Sequence, residues 1–159
     1  MKQARIILLM LMALFLMSTL AFAAKPSVTA DKTHLDFSTG RYMLEGHVKI
    51  ITDSRTITAD KAQVDLASLE VWGEGNITVL QDGLTFKSDN VHVSGKKKEA
   101  EMEGHVDLER PDLSIQSDKA VYNWDTKQAL FKEHVVIRQN GEEKTADQAA
   151  YNVTENKLS

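Results

Sequence analysis

Residues 58–65 read TADKAQVD, and this stretch decides the fold because its pattern returns along the chain. Its Asp60 is one rung of a ladder made by Asp31, Asp60, Asp89, Asp118 and Asp147, each 29 residues after the last with no insertion. A second ladder keeps the same step. Gly46, Gly75 and Gly104 are followed in the fourth place by Glu133, and two positions further on stand Val48, Ile77, Val106 and Val135. Self-similarity of this strictness marks an array of one supersecondary unit.

Within each unit the hydrophobic period is two, which belongs to strands and not to helices. In the second repeat the apolar side runs Ile57, Ala59, then Ala62, Val64, Leu66, and after a turn at Ala67 and Ser68 it continues Leu69, Val71, Gly73, Gly75, Ile77, Val79. The alternation slips by one residue at Asp60 and Lys61. A bulge or sharp bend produces such a slip while keeping the same face inward on both sides of the corner. The aspartate therefore marks a crease on one strand, and the glycine marks the bend on its neighbour.

The other repeats keep the same columns. Three residues before each Asp stand Val28, Ile57, Phe86, Ile115 and, as an exception, Lys144; four after it stand Leu35, Val64, Val93, Tyr122 and Tyr151; six after it stand Phe37, Leu66, Gly95, Trp124 and Val153. The return strands point Leu44, Gly73, Met102 and Phe131 inward, then Val48, Ile77, Val106 and Val135, then Ile50, Val79, Leu108 and Ile137, and Val71 and Val91 fall on the same side. Arg41, Glu70, Glu99, Gln128, Glu45, Glu74, Glu103 and Lys132 alternate with them and face outward. The pattern predicts an all-β fold of about four and a half 29-residue repeats: an antiparallel creased sheet, taco-like, whose two walls face each other across the apolar columns. Turns are predicted at Ser38-Thr39-Gly40, Asp82-Gly83, Pro111-Asp112 and Asn140-Gly141. Neither end carries a visible capping repeat. Open sheet edges invite strand addition, and two dissimilar open ends can add head to tail.

The first 23 residues read differently. Lys2 and Arg5 precede an apolar run from Ile6 to Met17, and Ala21-Phe22-Ala23 supplies a small-x-small cleavage box. This is the pattern of a secretory signal peptide. An uncleaved anchor is the alternative, because residues 6–24 come close to the length that spans a bilayer. Residues 24–159 then form one domain. Without Lys2 and Arg5 the formal charge moves from −4 to −6, which argues against nucleic acid as a partner, since that binding needs a basic footprint. The chain has no cysteine, so cohesion in an exported protein rests on burial and backbone pairing.

Chemistry-bearing residues are read against plainer roles. The aspartates are expected to satisfy backbone N–H groups at the crease. His47, His105 and His134 share one outward column with Asn76, about 10 Å between neighbours, too far apart to share a metal ion. Lys96-Lys97-Lys98 is expected to be a solvated rim, and Trp72 a lone outward aromatic. Two glycosylation sequons, Asn76-Ile77-Thr78 and Asn152-Val153-Thr154, fall within predicted strands and carry little weight. No carboxylate pair is gathered as polysaccharide cleavage requires, and no GxxxxGK phosphate loop supplies an energy source. Catalytic residues, metal and cofactor are all expected to be absent.

The repeated pattern "ITADKAQVD … GEGNITVLQDG", with "SIQSDKAVYNWDTKQALFKEHVVIRQNG" after it, resembles the OstA-like family of lipopolysaccharide transport proteins, in particular its periplasmic LptA family, over the whole of residues 24–159. The resemblance implies a V-shaped β-sheet trough that holds the acyl chains of lipid A. It also implies a periplasmic bridge of head-to-tail copies between an inner-membrane Lpt complex and an outer-membrane translocon. The lining it implies for this chain is Ile57, Val64, Leu66, Val71, Ile77 and Val79; Phe86, Val91, Val93, Met102, Val106 and Leu108; and Ile115, Tyr122, Trp124, Phe131, Val135 and Ile137. Lys144, Glu133 and Gly95 depart from the pattern and are expected to interrupt that lining. The alternatives are a membrane-anchored LptC-like component of the same pathway and a structural β-array without lipid.

Overall fold

The computed structural model describes residues 27–51, 55–81 and 83–159. The predicted signal peptide, and Asp82 of one predicted turn, lie outside the described residues. Eleven strands follow one another: β1 (Ser27–Thr29), β2 (Lys32–Asp36), β3 (Arg41–Ile51), β4 (Arg55–Asp65), β5 (Glu70–Gln81), β6 (Leu84–Ser94), β7 (Glu99–Arg110), β8 (Leu113–Asn123), β9 (Gln128–Gln139), β10 (Glu142–Asn152) and β11 (Lys157–Leu158). They form one sheet in chain order, with β1 and β2 both on β3, and every pairing is antiparallel. The expected all-β meander is what the chain forms.

The turns along one lip are built by a third 29-residue ladder, Asp36, Asp65, Ser94, Asn123 and Asn152. Each side chain accepts backbone N–H groups two or three residues on: Ser38 at 2.9 Å for Asp36, Ala67 and Ser68 at 3.0 Å for Asp65, Lys97 at 3.4 Å for Ser94, Asp125 and Thr126 at 3.0 Å for Asn123, and Thr154 at 3.0 Å and Glu155 at 2.9 Å for Asn152. Short polar side chains hold turns in this way. The Ser38 hydroxyl, then that of Thr39, keep the Asp36 carboxyl down to about 2. One placement is corrected. Phe37 was expected inward with Leu66 and Trp124, but it is 90% exposed, because β2 pairs with β3 alone and no strand lies on its other side.

The crease lies where the register shifts, at the glycine of one strand opposite the aspartate of the next. Gly46, Gly75 and Gly104 have φ of 72°, 76° and 79°, and the residues after them, His47, Asn76 and His105, are left-handed as well, at 46°, 49° and 44°. Two left-handed residues in succession turn the strand. In the fourth repeat Glu133 at 65° and His134 at 49° make the same corner without glycine. Left-handed backbone is costly for a residue with a Cβ. Glu133→Gly is therefore expected to raise stability by about 1 kcal/mol, because the Lys119–Glu133 ion pair it loses, 3.1 Å and half exposed, contributes little. A urea midpoint that stayed put or fell would contradict this.

The crease folds the sheet into two walls. Phe86, paired with Val79 and Leu108 on the first wall, and Phe131, paired with Ala120 and Ala149 on the second, sit on strands three positions apart. A flat sheet would separate them by about 14 Å, yet their rings stack at 6.0 Å. The walls face each other, as the columns predicted. Two apolar clusters fill the space, one running from Leu84 to Tyr151 and one from Leu44 to Ile77, with Val91 packed against both.

Candidate functional site

The inner face is laid down in rows by the register. On the first wall Val79, Phe86, Leu108, Ile115 and Ile137 lie side by side. On the second, one row runs Gly73, Val91, Met102, Ala120, Phe131, and the next Val71, Val93, Ala100, Tyr122, Ala129. Every residue named from the sequence as lining is buried or half-buried, with Leu108, Ile115 and Phe131 fully enclosed. Leu84, Leu113, Ala120, Ala129 and Tyr151 join them. Gly73 keeps its place in the lining because a Cβ there would come within 2.8 Å of Val91 and 3.0 Å of Ile77. Along most of its length the trough is filled by its own side chains; at the β9–β11 end a cavity of about 470 Å³ opens between Ile137 and Lys144 on one wall and Ala149 and Leu158 on the other.

Two of the three expected interruptions fall elsewhere. Glu133 sits at the crease, exposed and paired with Lys119. Gly95 belongs to the turn after β6, bonded to the Leu69 carbonyl at 2.8 Å. Lys144 alone remains in an inner column, opposite Ile137, and there it is exposed at the last long strand, 3.6 Å from Glu142.

Two arginines on the first wall escaped the sequence reading. Arg55 is two residues before inward Ile57, and Arg110 two after inward Leu108, so the period of two places both on the inner face at the lip. Arg55 Nε donates to Gln81 Oε1 at 2.6 Å. Arg110 Nη2 crosses to the second wall and donates to the Val153 carbonyl at 2.7 Å, its guanidinium 5.8 Å from the Tyr151 ring. Burial pushes the Tyr122 and Tyr151 phenols up, and Tyr151 donates to Asn156 Oδ1 at 2.7 Å.

The outer spine of the crease carries the aspartate ladder, and its partners differ from those expected. Asp31, Asp89 and Asp118 bond the Nδ1 atoms of His47, His105 and His134 at 2.7, 2.7 and 2.6 Å, and Asp60 accepts from Asn76 Nδ2 at 2.8 Å. The partner always stands 16 residues later, a spacing legible in the sequence but not read there. The imidazoles are solvent-exposed, as expected, and among the described residues no three potential ligands converge as a metal site. The hydrogen bond to each aspartate, and then its charge, raise all three imidazoles. A group raised on folding stabilises fully below its unfolded value, near 6.5 for imidazole, and that contribution is lost as pH rises through the folded value. The urea midpoint is therefore expected to fall as pH rises above about 6.5. Replacing His47, His105 and His134 by Asn, the residue native to position 76, should flatten the slope; an unchanged slope would sink the assignment.

On the outer face Trp72 is not the lone aromatic expected. It is half-buried, stacked on His92 at 5.1 Å and 7° and covered by Arg41 at 4.1 Å. Lys98 and Lys97 of the basic turn are held by Asp125 at 2.6 Å and Glu101 at 3.9 Å.

A family model described as LptA/(LptD N-terminal domain) LPS transport protein matches residues 27–68 and 67–157. Among solved structures the chain is similar to LptH from Pseudomonas aeruginosa, the LptA homologous periplasmic component of the conserved lipopolysaccharide transport device: 16% identity, 62% of this chain and 75% of that chain covered, TM-score 0.53. That likeness speaks to the fold. No curated protein sequence gives a match.

Proposed function

Because this chain belongs to the LptA/(LptD N-terminal domain) family of LPS transport proteins, we propose that it is a periplasmic carrier of lipopolysaccharide, exported by a cleaved signal peptide. It shields the acyl chains of lipid A between its walls during passage from inner to outer membrane. The observation that carries this reading is the continuous run of apolar rows between two facing walls, with charged side chains only at the lip and at the last long strand. Each acyl methylene removed from water is worth about 0.8 kcal/mol, so several chains held there recover on the order of tens of kcal/mol relative to free water. Sugars and phosphates stay outside at the lips. Copies add end to end through the sheet edges, β1 and β2 at one side and β10 at the other, where residues 157–159 pair with Ala150, Tyr151 and Asn152. An inner-membrane complex and an outer-membrane translocon meet the two ends, and the energy comes from a partner.

A second reading has one observation in its favour. Most of the interior is already filled by its own side chains, which suits a structural β-array. Extraction of the exported protein from lipopolysaccharide-producing cells, followed by mass spectrometry of bound lipid, separates the two. Co-purified lipid A is expected. A lipid-free protein, folded and exported, would favour the array.

A further inference from the structure

Beyond the cavity at the β9–β11 end the trough is filled, and there it admits an acyl chain only if its walls part. Away from the crease the walls meet through apolar contacts, which give way to an acyl chain without loss of kind, and, among the described residues at the lip, through a polar bridge that does not: Arg110 of the first wall on the Val153 carbonyl of the second. Arg110 is placed to do more than brace. It stands at the lip, where a headgroup would lie if acyl chains filled the rows beneath. Its bridge uses one donor of a five-donor fork, and its Nε is enclosed without a partner. A backbone carbonyl is a neutral acceptor, whereas a phosphate takes the planar fork through paired charge-assisted bonds. Exchange of the first for the second is downhill once a phosphate arrives.

From this geometry we propose that Arg110 is an exchangeable clasp: it shuts the mouth against Val153 and Tyr151 in the empty protein, and passes its guanidinium to a headgroup phosphate when an acylated lipid enters. This rests on the lipid-carrying reading above. Arg55, in the same inner row of the lip, gives the mouth a second positive charge. The clasp thus couples opening to the anionic character of the cargo, and it makes Arg110 a specificity-determining residue.

The test uses the full exported chain. Its lack of cysteine lets spin labels be placed across the mouth at Asp112→Cys and Glu155→Cys alone. Without lipid, Arg110→Gln should lengthen and broaden the label distance relative to the native arginine. Equilibrium binding is then measured with hexa-acylated lipid A, bis-phosphorylated and dephosphorylated. The native protein should prefer the phosphorylated form by about tenfold, and Arg110→Gln should lose that preference while binding the dephosphorylated form at least as well. Arg110→Lys keeps the charge without the fork and should fall between, which separates the clasp from a folding defect. An unchanged distance in Arg110→Gln overturns the clasp. A preference that survives the substitution overturns the headgroup role. Widening by inorganic phosphate alone reassigns the site to the free anion and also overturns it. If native protein binds neither lipid, the carrier reading and the headgroup role fall together, while the label distance still decides whether Arg110 closes the mouth.

Discussion

Phe131→Ala is expected to destabilise the protein by about 3 to 5 kcal/mol, the largest loss of any single truncation in the trough. The ring is fully enclosed, and it is stacked on Phe86 of the opposite wall at 6.0 Å. Truncation removes both its own burial and the contact that joins the walls. The void cannot collapse easily, because the backbones on either side are fixed by ladders to Ala120 and Ala149. Chemical denaturation monitored by circular dichroism measures the cost; a loss below about 1 kcal/mol would mean that the walls are not packed on each other at this point. Leu80→Ala, on an exposed side chain of the first wall, should be nearly neutral. The contrast between the two reports which face of the sheet is inside.

Gly104→Ala should cost about 2 kcal/mol. The residue has a φ of 79°, where a Cβ is strained. The added carbon would also collide with the Asp89 carboxylate, and that carboxylate is needed by His105 at 2.7 Å. The fourth repeat sets an upper bound on the penalty. There Glu133 occupies the same corner while Asp118 still holds His134 at 2.6 Å, so the strand can shift to accept a side chain. Asp89→Gly in the Gly104→Ala background should restore part of the loss. Gly104→Ala with unchanged stability would show that the crease does not depend on glycine.

Much of this architecture was legible because the repeat has no insertions. The ladders of Asp31 to Asp147 and Gly46 to Gly104, with the one-residue slip beside Asp60, were enough to foresee long antiparallel strands bent once and apolar on one face. Other features were lost for identifiable physical reasons. Phe37 shares its column with Leu66 and Trp124, and the turn begins at the same rung in all three, but it leaves the lining because β2 is paired on one side only, with β3, and has no second strand beside it to pack on. The partners of the crease aspartates follow a fixed spacing of 16 residues, but a hydrogen bond between neighbouring strands depends on register, which hydrophobic alternation sets only to within a face. Arg55 and Arg110 were missed because charged residues are assigned to the outside by default, although the parity of Ile57 and Leu108 puts them within. What Arg110 reaches could not be read at all, since the approach of two walls is a property of the crease angle and not of any local pattern.

A carrier and a structural array differ in whether the inner face meets lipid. A photo-crosslinking amino acid at inward Phe86 and, separately, at outward Lys87, followed by probing the adducts for lipopolysaccharide in cells, tests that most directly. Adjacent positions on β6 differ only in the wall face they occupy: Phe86 is buried, and Lys87 is exposed and paired with Glu109 at 3.0 Å. Lipopolysaccharide adducts at 86 and none at 87 are the predicted result. Silence at both positions, in protein that is folded and exported, would contradict it and leave a packed structural array in its place.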